Sequence, residues 1–85
     1  MNTIYTSNVL HVKYEFPPEA GRMGPVVAQR EAQRLGAVAV HLTSDINGDL
    51  HIAAFFPTAT AGFEFVQYLH ENFVKPLQSK TPSPL

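Results

Sequence analysis

A chain of 85 residues, 45% hydrophobic and with six Phe and three Tyr, can build one modest core, so a single folded domain is expected and not wholesale disorder. A formal net charge of −1 with 15% charged residues excludes the strong electrostatic grip on nucleic acid or an anionic membrane that a basic excess gives. Cysteine is absent, which excludes disulfide stapling and thiolate chemistry.

The stretch Met1–Asn8 is polar, with no basic start and no apolar run, so no signal peptide is expected. Nor does any stretch approach the roughly 18–20 apolar residues of a membrane span. The expectation is a cytoplasmic protein that makes no membrane contact.

Residues 3–16 read as extended structure. From Val9 onward Leu10, Val12, Tyr14 and Phe16 alternate with Val9, His11, Lys13 and Glu15, and the first, apolar set should face the core. Ser7-Asn8 marks either a kink or the start of the true strand, with Ile4 and Tyr5 as a short extension. Pro17-Pro18 stops the strand, since neither residue can donate to a ladder. A Gly/Pro-rich loop, 19–25, leads into a helix that opens at Pro25 and closes before Gly36. Ala28, Ala32 and Leu35, with Val27, form its inner stripe, and Gln29, Arg30, Gln33 and Arg34 point outward.

Residues 37–56 form a β-hairpin. Val38, Val40 and Leu42 share one face of the first arm; Leu50, Ile52, Ala54 and Phe56 share one face of the second. A two-residue Asn47-Gly48 loop would set Leu42 opposite Ala53 and throw these faces out of register. A three-residue Ile46-Asn47-Gly48 loop, with Gly48 left-handed, sets Leu42 opposite Ile52 and Val40 opposite Ala54, and is the predicted turn. The other face carries Ala37, Ala39, His41, Thr43, His51, Ala53 and Phe55, and is poor in charge.

Pro57 closes the hairpin, and Thr58 or Thr60 can cap a second helix. Gly62, Phe65, Val66, Leu69 and Phe73 form its core-facing stripe, flanked by Phe63 and Tyr68, with Glu64, Gln67, Glu71 and Lys75 in solvent. Pro76 ends it. The globular domain is expected over 1–77, with 78–85 a disordered Ser/Thr/Pro tail. The order β-α-β-β-α predicts an α+β two-layer sandwich, a small sheet with two helices on one face. A last strand over 73–75 would complete a ferredoxin-like arrangement at the expense of the helix end.

Catalytic signals are sparse: there is no Gly-x-Ser-x-Gly elbow, and no paired acids can be placed in a shared cleft. No catalytic residue, cofactor or small-molecule substrate is expected, and the chain reads as non-enzymatic. His11, His41 and His51 fall on one face by parity, where Asp45 or Asp49 could complete a zinc set, but they lack close ligand spacing and no metal is expected. Asp45-Ile-Asn-Gly-Asp49 has its glycine two places too early for a calcium loop and Phe56 where the bidentate Glu is needed, so it reads as a turn. The informative feature is surplus apolar surface. Ala39, Ala53 and Phe55 on the bare sheet face, with Phe63 and Tyr68 beside the helix stripe, predict a protein-contact surface. It would serve a homodimer or a regulatory or inhibitory partner of a larger complex; an exposed sheet edge is an alternative contact mode.

One pattern has a family behind it. Gly21-Arg22-Met23-Gly24, then Pro25-Val26-Val27 and a helix, then Gly36-Ala37 entering a strand, resembles the core of KH domains over about residues 9–73. The family's first helix is lacking, since only residues 17–20 stand before the glycines. The resemblance implies weak, salt-sensitive binding of single-stranded nucleic acid by Gly21, Arg22 and Gly24, with Arg30 and Arg34 as further phosphate contacts.

Overall fold

The computed structural model describes residues 4–76. Within it the first extended segment folds back on itself as two antiparallel strands, β1 (Ile4–Ser7) and β2 (His11–Glu15). The reversal is made at Asn8 and Val9, both with φ of 53°. Asn tolerates this left-handed region; a β-branched Val rarely enters it, so the turn is held from outside. What holds it is a glycine more than fifty residues away, in the second helix. Gly62 lies so close to the Val9 carbonyl that a Cβ there would overlap the oxygen and sit 2.8 Å from the carbonyl carbon.

The chain continues through a 3₁₀ turn, Pro18–Ala20, into helix α1 (Met23–Arg34). Strands β3 (Ala39–Ser44) and β4 (Leu50–Phe55) then form the predicted hairpin, and helix α2 (Ala59–Leu69) ends in a π-helical turn, His70–Val74. The sheet order is β1-β2-β4-β3, antiparallel throughout. The protein is thus an α+β two-layer sandwich whose single-strand N-terminus is replaced by a hairpin.

Parity dictates the β3–β4 register, and the structure has it: Val40 faces Ala54 and Leu42 faces Ile52. Gly48 takes φ of 83°, and the loop closes with Asp45 N–H on the Asp49 carbonyl at 3.0 Å. The Asp45 Oδ1 accepts from the Asn47 and Asp49 amides at 2.9 and 3.0 Å, an Asx arrangement that fixes the turn. This is a structural turn and not a calcium loop.

The core lies between sheet and helices. Val12, Tyr14, Phe16, Ile52, Ala54 and Phe56 enter it from below, Ala28, Ala32, Phe65 and Leu69 from above. α1 packs over β3 and β4, α2 over β2. Thr58 is the cap of α2, its hydroxyl accepting from the Ala61 amide at 3.2 Å. Three expected core positions are on the surface instead. Leu10 is taken into the β1–β2 reversal, Val27 turns out beside the Ala28–Ala32 stripe, and Val38 precedes the paired part of β3; all three are exposed. The last-strand option is also overturned, because 73–74 lie in the π turn and β1 holds the sheet edge beside β2. That turn swings the Phe73 ring against Phe16, centroids 5.2 Å apart, and over Gly24, where a Cβ would come within 3.1 Å of the ring. The expected tail, 78–85, lies outside the described residues.

Candidate functional site

With both helices on one side, the second face of the sheet has no covering element among the described residues. Its side chains form three rows across the strands. Ser7, His11, Phe55 and Ala39 make the first; Tyr5, Lys13, Ala53 and His41 the second; Glu15, His51 and Thr43 the third. Lys13 and Glu15 are the charged residues of these rows.

Phe55 sits at the centre of the first two rows. The His11 ring stacks on it at 4.1 Å and 10° between planes, and His41 meets its edge at 6.3 Å. Phe55 keeps 36% of its surface exposed. His11 Nε2 is buried and has no hydrogen-bond partner. The result is a flat, aromatic, weakly polar surface rimmed by small Ala39 and Ala53, which lets another backbone approach closely.

The three histidines are on one face, as parity requires, yet they do not converge. His51 lies in the third row, where Nε2 is 3.0 Å from Asp45 Oδ2. This hydrogen bond, with further ones from the Asp49 and Asn47 amides, holds the Asp45 carboxyl below the usual carboxylate range. Glu15, opposite His51 in the ladder, brings a second carboxylate, and one ligand atom from each of Glu15, Asp45 and His51 lies within 4.8 Å of the others. Glu15 was missing from any sequence-level ligand set because only the β2–β4 pairing places it there. The hairpin turn already accounts for this cluster, since both Asp45 oxygens are engaged by the turn and by His51.

Phe63 and Tyr68 do not join Ala39, Ala53 and Phe55. They belong to the helical layer on the opposite side, so the five candidate contact residues fall on two surfaces. Phe63 is 60% exposed. Tyr68 is half-buried, stacked on Phe65 at 6.1 Å and edge-on to Phe73, and burial followed by the Glu31 charge raises its pKa.

The glycine-loop residues are similarly divided. Gly21, with φ of 66°, and Arg22 line an open hollow of about 250 Å³ with Phe16, Pro17, Pro18, Gly48, Asp49 and Leu50. Gly24 is inside α1, packed on Ala20 and Phe73. Arg30 is exposed, and Arg34 donates from Nε and Nη2 to the Glu31 carboxylate, lowering the Glu31 pKa.

Comparison with protein-family models, curated proteins and solved structures finds no match. Among the described residues no helix is long and apolar enough to cross a membrane.

Proposed function

We propose that this chain is a small non-enzymatic protein-binding module whose open sheet face is the contact surface. It works as a homodimer or as a regulatory or inhibitory partner of a larger protein assembly. The observation that carries this reading is the Phe55 cluster: an aromatic centre flanked by two histidines and two alanines, on a face the two helices leave uncovered. Aromatic residues are enriched, and charged ones depleted, at the centres of contact surfaces.

Phe55→Asp is expected to cost the isolated fold about 1 kcal/mol, through loss of the His11 stack. It should weaken association by about 2 kcal/mol or more, the scale of a central contact residue. Ala53→Glu, on the same face, should act likewise with an intact far-UV spectrum. Pull-downs from native lysate with parent and variants compare bound proteins. If both variants retain every partner of the parent, the face is not a contact surface.

A second reading has one observation in its favour. The 3₁₀ turn at Pro18–Ala20 and the start of α1 flank Gly21 and Arg22 with a helical turn on each side, and Arg22 borders the adjoining hollow. This supports weak binding of a single-stranded nucleic-acid backbone there. Titration with labelled single-stranded RNA should show binding at low salt that Arg22→Ala weakens and added salt abolishes. No binding at low salt removes this reading.

A further inference from the structure

We infer that two copies of this chain pair through β3, antiparallel about a two-fold axis at Leu42, making one continuous eight-stranded sheet. This goes beyond the open-face reading: it places self-association at the sheet edge and leaves the Phe55 face to a different partner.

The hydrogen-bond directions are fixed by neighbouring strands. Phe56 N–H donates to the Leu10 carbonyl at 2.8 Å and Phe16 N–H to the Leu50 carbonyl at 2.9 Å. Even-numbered residues of β4 therefore bond to β2 and odd-numbered ones to β3. By the β3–β4 register, Ala39, His41 and Thr43 turn their N–H and C=O groups to β4, while Val40, Leu42 and Ser44 turn theirs outward. β3 ends the sheet, and among the described residues nothing lies beyond it.

Sheet edges in stable monomers are blunted by charged residues, Pro or a covering segment. Residues 37–44, Ala-Val-Ala-Val-His-Leu-Thr-Ser, contain neither Pro nor a charged side chain. Both ends carry unusual apolar exposure: Val38 is 71% exposed and Ile46, at the hairpin tip, fully so. These two residues stand four places to either side of Leu42. Val38 N–H is spent on the Phe55 carbonyl at 2.8 Å, so the pairing stretch is 40–44: a two-fold axis at Leu42 sets Leu42 against its own copy and Val40 against Ser44, with about six new backbone hydrogen bonds, and Val38 and Ile46 flank it. In that register Asp45 meets Ala39, so no like charges face each other.

The flanking helix agrees. Gly24 against Phe73, and Glu31 beside Tyr68, mark the side of α1 that faces α2. Steps of about 100° per residue put Val26, Gln29 and Gln33 on the opposite side, over the β3 edge. Arg22, at the helix start, falls on that side by the same count with Arg30 next to it, and the Gln amides can pair with their own copies. The strand edge itself, 37–44, is neutral, and an identical neutral edge fits it without charge conflict. A contact made mainly by one strand edge belongs at the small, weak end of specific interfaces, so the dimer is expected in the micromolar to submillimolar range.

Sedimentation equilibrium of the full chain from about 1 µM to 1 mM tests this. The parent should pass from monomer to dimer. Ser44→Pro removes an outward N–H that no bond within the sheet uses, and should weaken the dimer by about tenfold or more. Amide exchange read on the parent needs no variant: Val40, Leu42 and Ser44 should slow as concentration rises, and His41 and Thr43 should not. A parent that stays monomeric, an open-ended polymer, or a dimer with unchanged exchange at Leu42 overturns the inference. A dimer lost in Phe55→Asp but kept in Ser44→Pro overturns it too, while the open-face reading stands.

Discussion

Gly62→Ala is expected to destabilise the domain by about 3 kcal/mol, at the upper end for an overpacked interior site. Helix propensity alone gives the opposite sign, since Ala is favoured over Gly by about 1 kcal/mol in a helix interior. The difference lies in what Gly62 touches. A Cβ would overlap the Val9 carbonyl, which is backbone and sits in a reversal already carrying two left-handed non-glycine residues. Neither side can yield without lifting α2 from the sheet or undoing the β1–β2 reversal. In a domain of this size the loss corresponds to a fall in Tm of about 12–24 °C. Urea or thermal unfolding reads the sign directly, and a Gly62→Ala variant as stable as the parent would mean that α2 does not press on that turn.

The second large effect is alkaline. Tyr14 is 1% exposed, and its hydroxyl has no hydrogen-bond partner. Burial pushes its pKa up from 10.0 to about 12. Above pH 10 the unfolded chain releases this proton and the folded chain keeps it, so the unfolded state gains. The stabilisation is complete below pH 10 and is lost as pH rises through about 12, a total of about 3 kcal/mol for two pKa units. Tyr68 contributes in the same direction, its pKa also being raised. Tyr14→Phe should therefore flatten, though not abolish, the decline between pH 10 and 12. At pH 7 the same variant should equal or exceed the parent in stability, since it deletes an unpaired buried hydroxyl. Paired urea titrations at pH 7 and about 11.5 test both halves; parallel pH curves for parent and variant would place Tyr14 outside the core.

Where one residue's parity decided the outcome, the sequence was legible. Leu42 and Ile52 must share a face, so the hairpin loop has three residues, and the register follows. The N-terminal reversal was not legible, because Val9 contradicts its own propensity and the compensation comes from Gly62, distant in sequence. Gly62 was readable as a stripe position, but not as the place where a strand turn enters the helix. The same limit applies to the open face. Parity put His11, His41 and His51 on one side, but only strand order tells that Phe55 separates the first two and that Glu15 reaches the third. Phe63 and Tyr68 were legible as apolar surplus; that they lie on the other layer follows from α2 packing over β2.

The sheet's two undefended features, its bare face and its uncharged β3 edge, carry the proposal that the chain does not act alone. Size-exclusion chromatography of the chain in clarified native lysate and after purification at high concentration tests this most directly. The protein should elute above the mass of a single chain in both, bound to a partner or to its own copy. Elution as a lone chain in both would contradict the account.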